Sequence, residues 1–240
     1  MLLIPDRAED ITYLRFPVPE NKGTIEKHDG FSIIFIGRCT REKGYNVLPE
    51  IAKAFIEGGQ KVFWHIVGEI DEKTKTQYLW PDGANVRFYG SVNNDAVKKL
   101  LCRIHLILLP SLAEGMPVAV IEAMKAEVIP IVNKIESGIS ELVENGVTGF
   151  TIESNSIEQY KDKIIYLIKN PAEQFRLREN ARDYANINFD PLANTKNYEN
   201  KITEAGSKLK TKKANKIYGS RLDQYWMPNS ITKTLRSFNG

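Results

Sequence analysis

Cysteine, histidine and long apolar runs are all scarce in this chain, and each scarcity closes off a class of function. Cys39 and Cys102 are the only two cysteines in 240 residues. One lies in a Gly-Arg loop and the other precedes an apolar run, so a disulfide framework has no support and a reducing cytoplasm is the simpler expectation. The three histidines, His28, His65 and His105, lack metal-ligand spacing. His65 and His105 fall within apolar runs and read as hydrogen-bonded structural residues, and no metal or other cofactor is expected. No apolar run approaches the ~20 residues needed to span a bilayer. Met1 to Pro5 is too short for a targeting core. No internal repeat or low-complexity segment stands out. A hydrophobic fraction of 42% is enough for a globular core.

What is present is concentrated in fifteen residues, Pro110 to Met124. The preceding run, Arg103 to Leu109, is almost uninterruptedly apolar, as in a parallel strand covered on both faces. Pro110 ends it. Gly115 permits a tight turn, and Pro117 suits the first helical turn because its missing N–H has no helical partner there in any case. A helix is therefore expected from about Met116. Its positive end points to the carboxyl edge of the sheet, where open α/β folds bind anionic ligands. Glu114 sits in the loop and Glu122 eight residues on, about two helical turns later. The two carboxylates can face one crevice, one holding a sugar and the other a ribose. Alternatively they are a loop acid and an ordinary amphipathic-helix carboxylate.

A second cluster follows the strand Phe31–Ile36: Gly37-Arg38-Cys39-Thr40-Arg41-Glu42-Lys43-Gly44, then an amphipathic helix from about Tyr45 to Glu57. Where no metal is present, a diphosphate needs fixed cationic donors. A guanidinium supplies a bidentate fork and an ammonium a point charge. Arg38 and Lys43 are the candidates, ahead of Arg41. Further strands are expected at Val62–Val67, ending at Gly68, and at Val86–Tyr89, ending at Gly90. Val128–Val132 and a turn at Asn145–Phe150 continue the series, with a short helix opening at Ser137–Val143. Ser156, Asn170-Pro171 and Asp190-Pro191 mark three helix starts over residues 156–204. Tyr184 and Tyr198 in those helices read as packing residues.

The pattern Pro110-Ser111-x-x-Glu114-Gly115-x-Pro117-x4-Glu122-Ala123-Met124 resembles the E-x7-E signature of glycosyltransferase family 4, and Gly37 to Gly44 resembles that family's GR-x4-KG segment. The resemblance covers about residues 30 to 204. It implies a doubly wound parallel α/β domain, Rossmann-like, forming the C-terminal half of a GT-B architecture with C-terminal helices. It also implies a retaining, metal-independent transferase in which this half holds a nucleotide-sugar donor. By that resemblance Glu122 binds the ribose hydroxyls, and Glu114 with Gly115, Met116 and Pro117 engages the donor sugar. Arg38 and Lys43 stabilise the departing diphosphate beside Gly37, and the loop of Ser91 and Val92 lies next to the base. The acceptor's proton can pass to the leaving phosphate. Two departures are visible. The family commonly has glycine where this chain has Glu127, and its Gly-Gly near the sugar is reduced to Ser137-Gly138.

Length sets the expected organisation. Residues 1–30 read as an interdomain connector, 31–204 as the nucleotide-sugar domain, and 205–240 as a basic tail. The tail holds eight Lys or Arg and one acid, a net of +7 that leaves the rest of the chain at −4 against a total of +3. Lys208, Lys210, Lys212, Lys213 and Lys216 with Tyr225-Trp226-Met227-Pro228 suit a peripheral contact with anionic lipid at the inner face of the membrane, or a segment that crosses back over a neighbouring domain. Nucleic acid is not an expected partner. An acceptor-binding N-terminal domain is expected to be missing, the chain being a fragment of a longer enzyme or a natural donor subunit. The acceptor is expected to be a glycan or a lipid-linked molecule. The alternatives are a non-catalytic nucleotide-sugar-binding subunit or a GT-B sugar-nucleotide epimerase.

Overall fold

A computed structural model describes residues 30–135, 138–154 and 156–211. The expected connector 1–30, apart from Gly30, lies outside the described residues. So do His28, Ser137 and the basic stretch beyond Thr211, including Tyr225 to Pro228. The chain divides into two units, one ending at Asn194 and one beginning at Thr195.

Six parallel strands form one sheet: β1 (Phe31–Ile36), β2 (Val62–Val67), β3 (Asn85–Gly90), β4 (Leu106–Leu109), β5 (Ile129–Asn133) and β6 (Phe150–Ile152). Their order is β3-β2-β1-β4-β5-β6, the doubly wound arrangement, so the fold class expected from the sequence is the one observed. Alternate residues of each central strand feed two cores. Ile33, Phe35, Leu106, Leu108, Ile129 and Ile131 point to one, and Ile34, Ile107, Leu109 and Val132 to the other. Helices α1 (Leu48–Glu57) and α6 (Ile157–Lys169) cover the first face through Leu48, Ile51, Phe55, Tyr160, Ile164 and Leu167. The second face takes α3 (Asn94–Leu101), α4 (Val118–Lys125), α5 (Ile139–Leu142) and α7 (Pro171–Asn188) through Val97, Leu101, Val120, Met124, Ile139, Leu142, Ala181 and Ala185. Short α2 (Glu72–Gln77) and α8 (Pro191–Thr211) complete the element order. Burial on both faces is why β1, β4 and β5 are near-continuous apolar runs.

Several boundaries move for identifiable reasons. The apolar run from Arg103 yields a strand only from Leu106, because Arg103 and Ile104 donate back to Leu100 and Leu101 and close the turn after α3. The helix expected from about Met116 begins at Val118. Pro117 is its cap residue, with ψ 98°, outside the helical region. The expected helix at Tyr45 opens as a single 3-10 turn, Tyr45–Val47, before α1. Ser156 caps α6 as expected, accepting from the Gln159 amide at 3.4 Å.

Glu127, where the family commonly has glycine, has φ +57°, the left-handed region that favours glycine. The Val128 amide donates to the Ala123 carbonyl and the Glu127 amide to that of Met124, the two bonds that end a helix through a left-handed residue. The Glu127 carboxylate holds Arg182 at 2.6 Å and Arg178 at 3.1 Å, both on α7. The ion pairs offset the backbone strain and fasten α4 to α7. Beside them, buried Lys125 donates to the Phe189 carbonyl at the end of α7, at 2.9 Å, a favourable place for a cation against the helix dipole.

Candidate active site

The strand order reverses between β1 and β4. The chain leaves β1 towards β2 and β4 towards β5, so the loops that follow, residues 37–44 and 110–117, flank a crevice at the carboxyl edge. Both sequence motifs fall there.

Backbone packing locks the two loops together. Gly44 has φ +73°, and a Cβ on it would stand 2.0 Å from the Pro110 carbonyl oxygen, so the first loop lies directly on the end of β4. The Leu112 amide donates to the Glu42 carbonyl at 2.8 Å. From below, the buried side-chain amide of Asn133 donates to the carbonyls of Pro110 at 2.9 Å and Ser111 at 3.0 Å, and its oxygen accepts from the Tyr160 hydroxyl at 3.1 Å. These bonds satisfy carbonyls that the end of a central strand would otherwise leave unpaired. The only signal for Asn133 in the sequence is a polar residue at the end of an apolar strand.

Across this frame Lys43 Nζ meets Glu114 Oε1 at 2.8 Å, with the two side chains 26% and 10% exposed. The structure thus joins one residue from each motif, 71 positions apart, in a single charge-assisted bond. Arg38 stands in the same loop as Lys43 and is exposed. Two buried hydroxyls on these loops, Thr40 Oγ1 and Ser111 Oγ, have no hydrogen-bond partner among the described residues. Gly37 donates to the Val67 carbonyl at 2.9 Å, and its own carbonyl stands 1.8 Å from where Gly68 would carry a Cβ.

Gly115 has no positive φ, and a Cβ there would meet nothing within 4 Å. The tight turn expected of it is not where glycine is needed. Close approach instead falls to Gly138, whose Cβ would stand 2.5 Å from the Gly115 carbonyl oxygen. Met116 packs against the second core and Pro117 is buried at the start of α4. Glu122, in the second turn of α4, is half-buried. Burial pushes its carboxyl above the ordinary range, and the charge of Lys98 on α3 pulls the other way. Ser91 and Val92 follow β3, two strands from the crevice. The Ser91 hydroxyl lies 3.4 Å from the Glu69 carboxylate and Val92 leans on the second core. The Glu69 carbonyl accepts from the Cys39 amide at 3.0 Å, linking the loops after β1, β2 and β3.

Cys39 and Cys102 are both buried and unbridged. Burial pushes the Cys39 thiol up to about 11, which disfavours a thiolate nucleophile. His65 Nδ1 lies 2.8 Å from the Tyr89 hydroxyl, and His105 Nδ1 accepts from the Ser32 amide at 3.1 Å. Both histidines are structural partners, as expected. Among the described residues no group of three or more His, Cys, Asp or Glu is placed to hold a metal, and no helix is long and apolar enough to cross a membrane.

Comparison with known proteins identifies the family and the fold. The amylovoran biosynthesis glycosyltransferase AmsK of Erwinia amylovora is 30% identical over 156 residues, covering 60% of this chain and 38% of AmsK. Curated relatives are matched over about a third to a half of their own length. Among solved structures, Anabaena HepE in complex with UDP-glucose superposes with a TM-score of 0.64 at 20% identity, over 73% of this chain and 49% of HepE. The C-terminal domain of the glycosyl transferase group 1 protein LpcC from Francisella tularensis superposes at 0.59 and 17% identity, over 74% of this chain and 96% of that domain. The family model described as glycosyl transferases group 1 matches residues 19–184, more than half of the sequence. With two interlocked loops at the switch point of a doubly wound sheet, the chain belongs to the group 1 glycosyl transferases.

Proposed function

We propose that this chain is the donor-binding half of a retaining, metal-independent glycosyltransferase of polysaccharide or glycoconjugate synthesis. It moves a sugar from a nucleoside diphosphate sugar to a glycan or lipid-linked acceptor held by a second domain. The observation that carries this reading is the Lys43–Glu114 pair bridging the loops after β1 and β4. It sets a cation and a carboxylate side by side at the carboxyl edge of the sheet, an arrangement that suits a diphosphate and the sugar attached to it.

In this reading Lys43, Arg38 and the amides at the start of α4 face the diphosphate. The first bonds within that helix run from Val120 and Ile121 to the Pro117 carbonyl, so the N–H groups ahead of them have no partner inside the helix. As the bond between the anomeric carbon and the phosphate oxygen breaks, charge grows on the leaving group, and fixed donors stabilise it there. The acceptor oxygen bonds to the anomeric carbon on the face the phosphate leaves, and its proton passes to the phosphate. Glu114 orients the sugar hydroxyls, Glu122 binds the ribose, and the Ser91–Val92 loop stands by the base.

Calorimetric titration with UDP, GDP, ADP and their sugar conjugates tests the assignment. One base series is expected to bind, and Glu122→Ala to weaken it by more than about tenfold, or roughly 1.4 kcal/mol. Binding indifferent to Glu122→Ala, or absent for every nucleotide, overturns it.

A further inference from the structure

A second concavity lies away from the crevice, on the outer edge of the sheet. β3 is an edge strand whose residues are all exposed or half-buried. Its pairing with β2 slips: Ile66 faces Phe88, but Val67 faces Gly90, which leaves Tyr89 as an extra residue. Such bulges redirect side chains. Below the bulge, β2, β3 and the end of α3 enclose a groove of about 740 Å3, lined by Phe63, His65, Asn85, Arg87, Tyr89 and Arg103 among others.

Among the described residues no carboxylate lines this groove, and two guanidiniums do. Arg87 lies 5.0 Å from the Tyr89 ring centroid, and His65 stacks on that ring at 5.8 Å while its Nδ1 stands 2.8 Å from the hydroxyl. The Tyr89 ring thus has Arg87 over it and His65 stacked on it. Burial pushes the Tyr89 phenol up, against the charges of Arg87 and Arg103, so its O–H stays protonated at neutral pH. Planar forks suit a carboxylate or phosphate, and the Asn85 amide beside the bonded His65–Tyr89 pair suits hydroxyls. Phe63 gives the groove an apolar wall, with Lys61 Nζ 5.3 Å from its ring centroid.

We propose that this groove is a binding site for a saccharide bearing negative charge, separate from the donor crevice, with Arg87 and Arg103 holding the anionic group. The site lies at β2 and β3, whereas the crevice loops follow β1 and β4.

Calorimetry with trigalacturonate, glucose 6-phosphate and the neutral maltotriose tests it on the full chain. An acidic sugar is expected to bind and maltotriose not to. Arg87→Gln and Arg103→Gln are each expected to weaken binding by about tenfold or more, as fits the loss of a hydrogen bond to a charged group. Both arginines are exposed, and an unchanged melting curve confirms that each variant is folded. Preference for trigalacturonate or for glucose 6-phosphate, lost in both variants, supports the site and assigns its anion as carboxylate or phosphate. Binding that survives both substitutions, equal binding of maltotriose, or no binding of either acidic sugar overturns it. Loss of binding in Lys43→Ala places the anion in the donor crevice and likewise overturns it.

Discussion

The centre of the sheet and its β3 edge are built from the same kind of strand yet constrained by opposite means. All four residues of β4 are buried, whereas no residue of β3 is. At the centre the loops are held through their main-chain groups: Leu112 to Glu42, Gly44 against Pro110, and the Asn133 side chain bonded to the carbonyls beneath. At the edge the contacts are side chain to side chain: His65 with Tyr89, Arg87 over Tyr89, and Ser91 with Glu69. The central contacts depend on glycine, on loop length and on the one buried Asn133 side chain. Side-chain contacts can be exchanged without unfolding anything. The centre is therefore suited to holding a fixed geometry, and the edge to recognition by side chains.

The largest test of that contrast is a pair of truncations. Ile107→Ala in β4 removes a fully buried side chain and is expected to cost about 4 kcal/mol, whereas Phe88→Ala in β3, 42% exposed, is expected to cost about 1 kcal/mol. Urea unfolding reads both, and equal losses would erase the distinction. Next come two glycines of the crevice. Gly44→Ala is expected to cost about 3 kcal/mol through its positive φ and the overlap with Pro110. Gly115→Ala, with open space around it, leaves the unfolding midpoint unchanged. A smaller effect separates two substitutions of Glu127. Both remove the ion pairs with Arg178 and Arg182, but Glu127→Gly also relieves the left-handed strain, so it is expected to be more stable than Glu127→Ala by about 1 kcal/mol.

The smallest effect is a pH dependence. Burial raises the Glu122 carboxyl above its ordinary 4.5 in the folded chain, so the folded state holds that proton to higher pH than the unfolded state does. This contribution to stability is present at acid pH and lost as pH rises through the raised value. Glu122→Gln is expected to melt above the parent protein at pH 7, and the gap to close as the pH falls below 4.5. A constant gap across that range would place Glu122 in water.

Legibility in the sequence follows the same division. β1 and β2 are readable to the residue, because each is a largely apolar run that ends at a glycine, Gly37 or Gly68. Arg38, Lys43, Glu114 and Glu122 are readable as a set only through the resemblance, since each taken singly is an ordinary surface charge. Pro117 is readable as a helix start, but nothing local says that it caps the helix instead of entering it. The slip at Tyr89 depends on how β3 pairs with β2, and the support from Asn133 depends on which loop lies above it. Both are facts about neighbours that stand apart in the chain. Glu127 shows as a departure from its family, while its compensation by Arg178 and Arg182 lies some fifty residues away.

In the proposed reaction, the Lys43–Glu114 bond makes donor recognition an exchange of counter-ions. A diphosphate arriving at Lys43 displaces a carboxylate that is only 10% exposed, and that carboxylate then needs a new partner. A sugar hydroxyl attached to the same diphosphate supplies one, whereas a nucleotide without a sugar leaves a desolvated acid stranded beside an anion. The crevice thus answers to phosphate and sugar arriving together and discriminates against either alone. The same pairing that closes the site at rest makes the spent nucleotide, once its sugar has gone, easier to release.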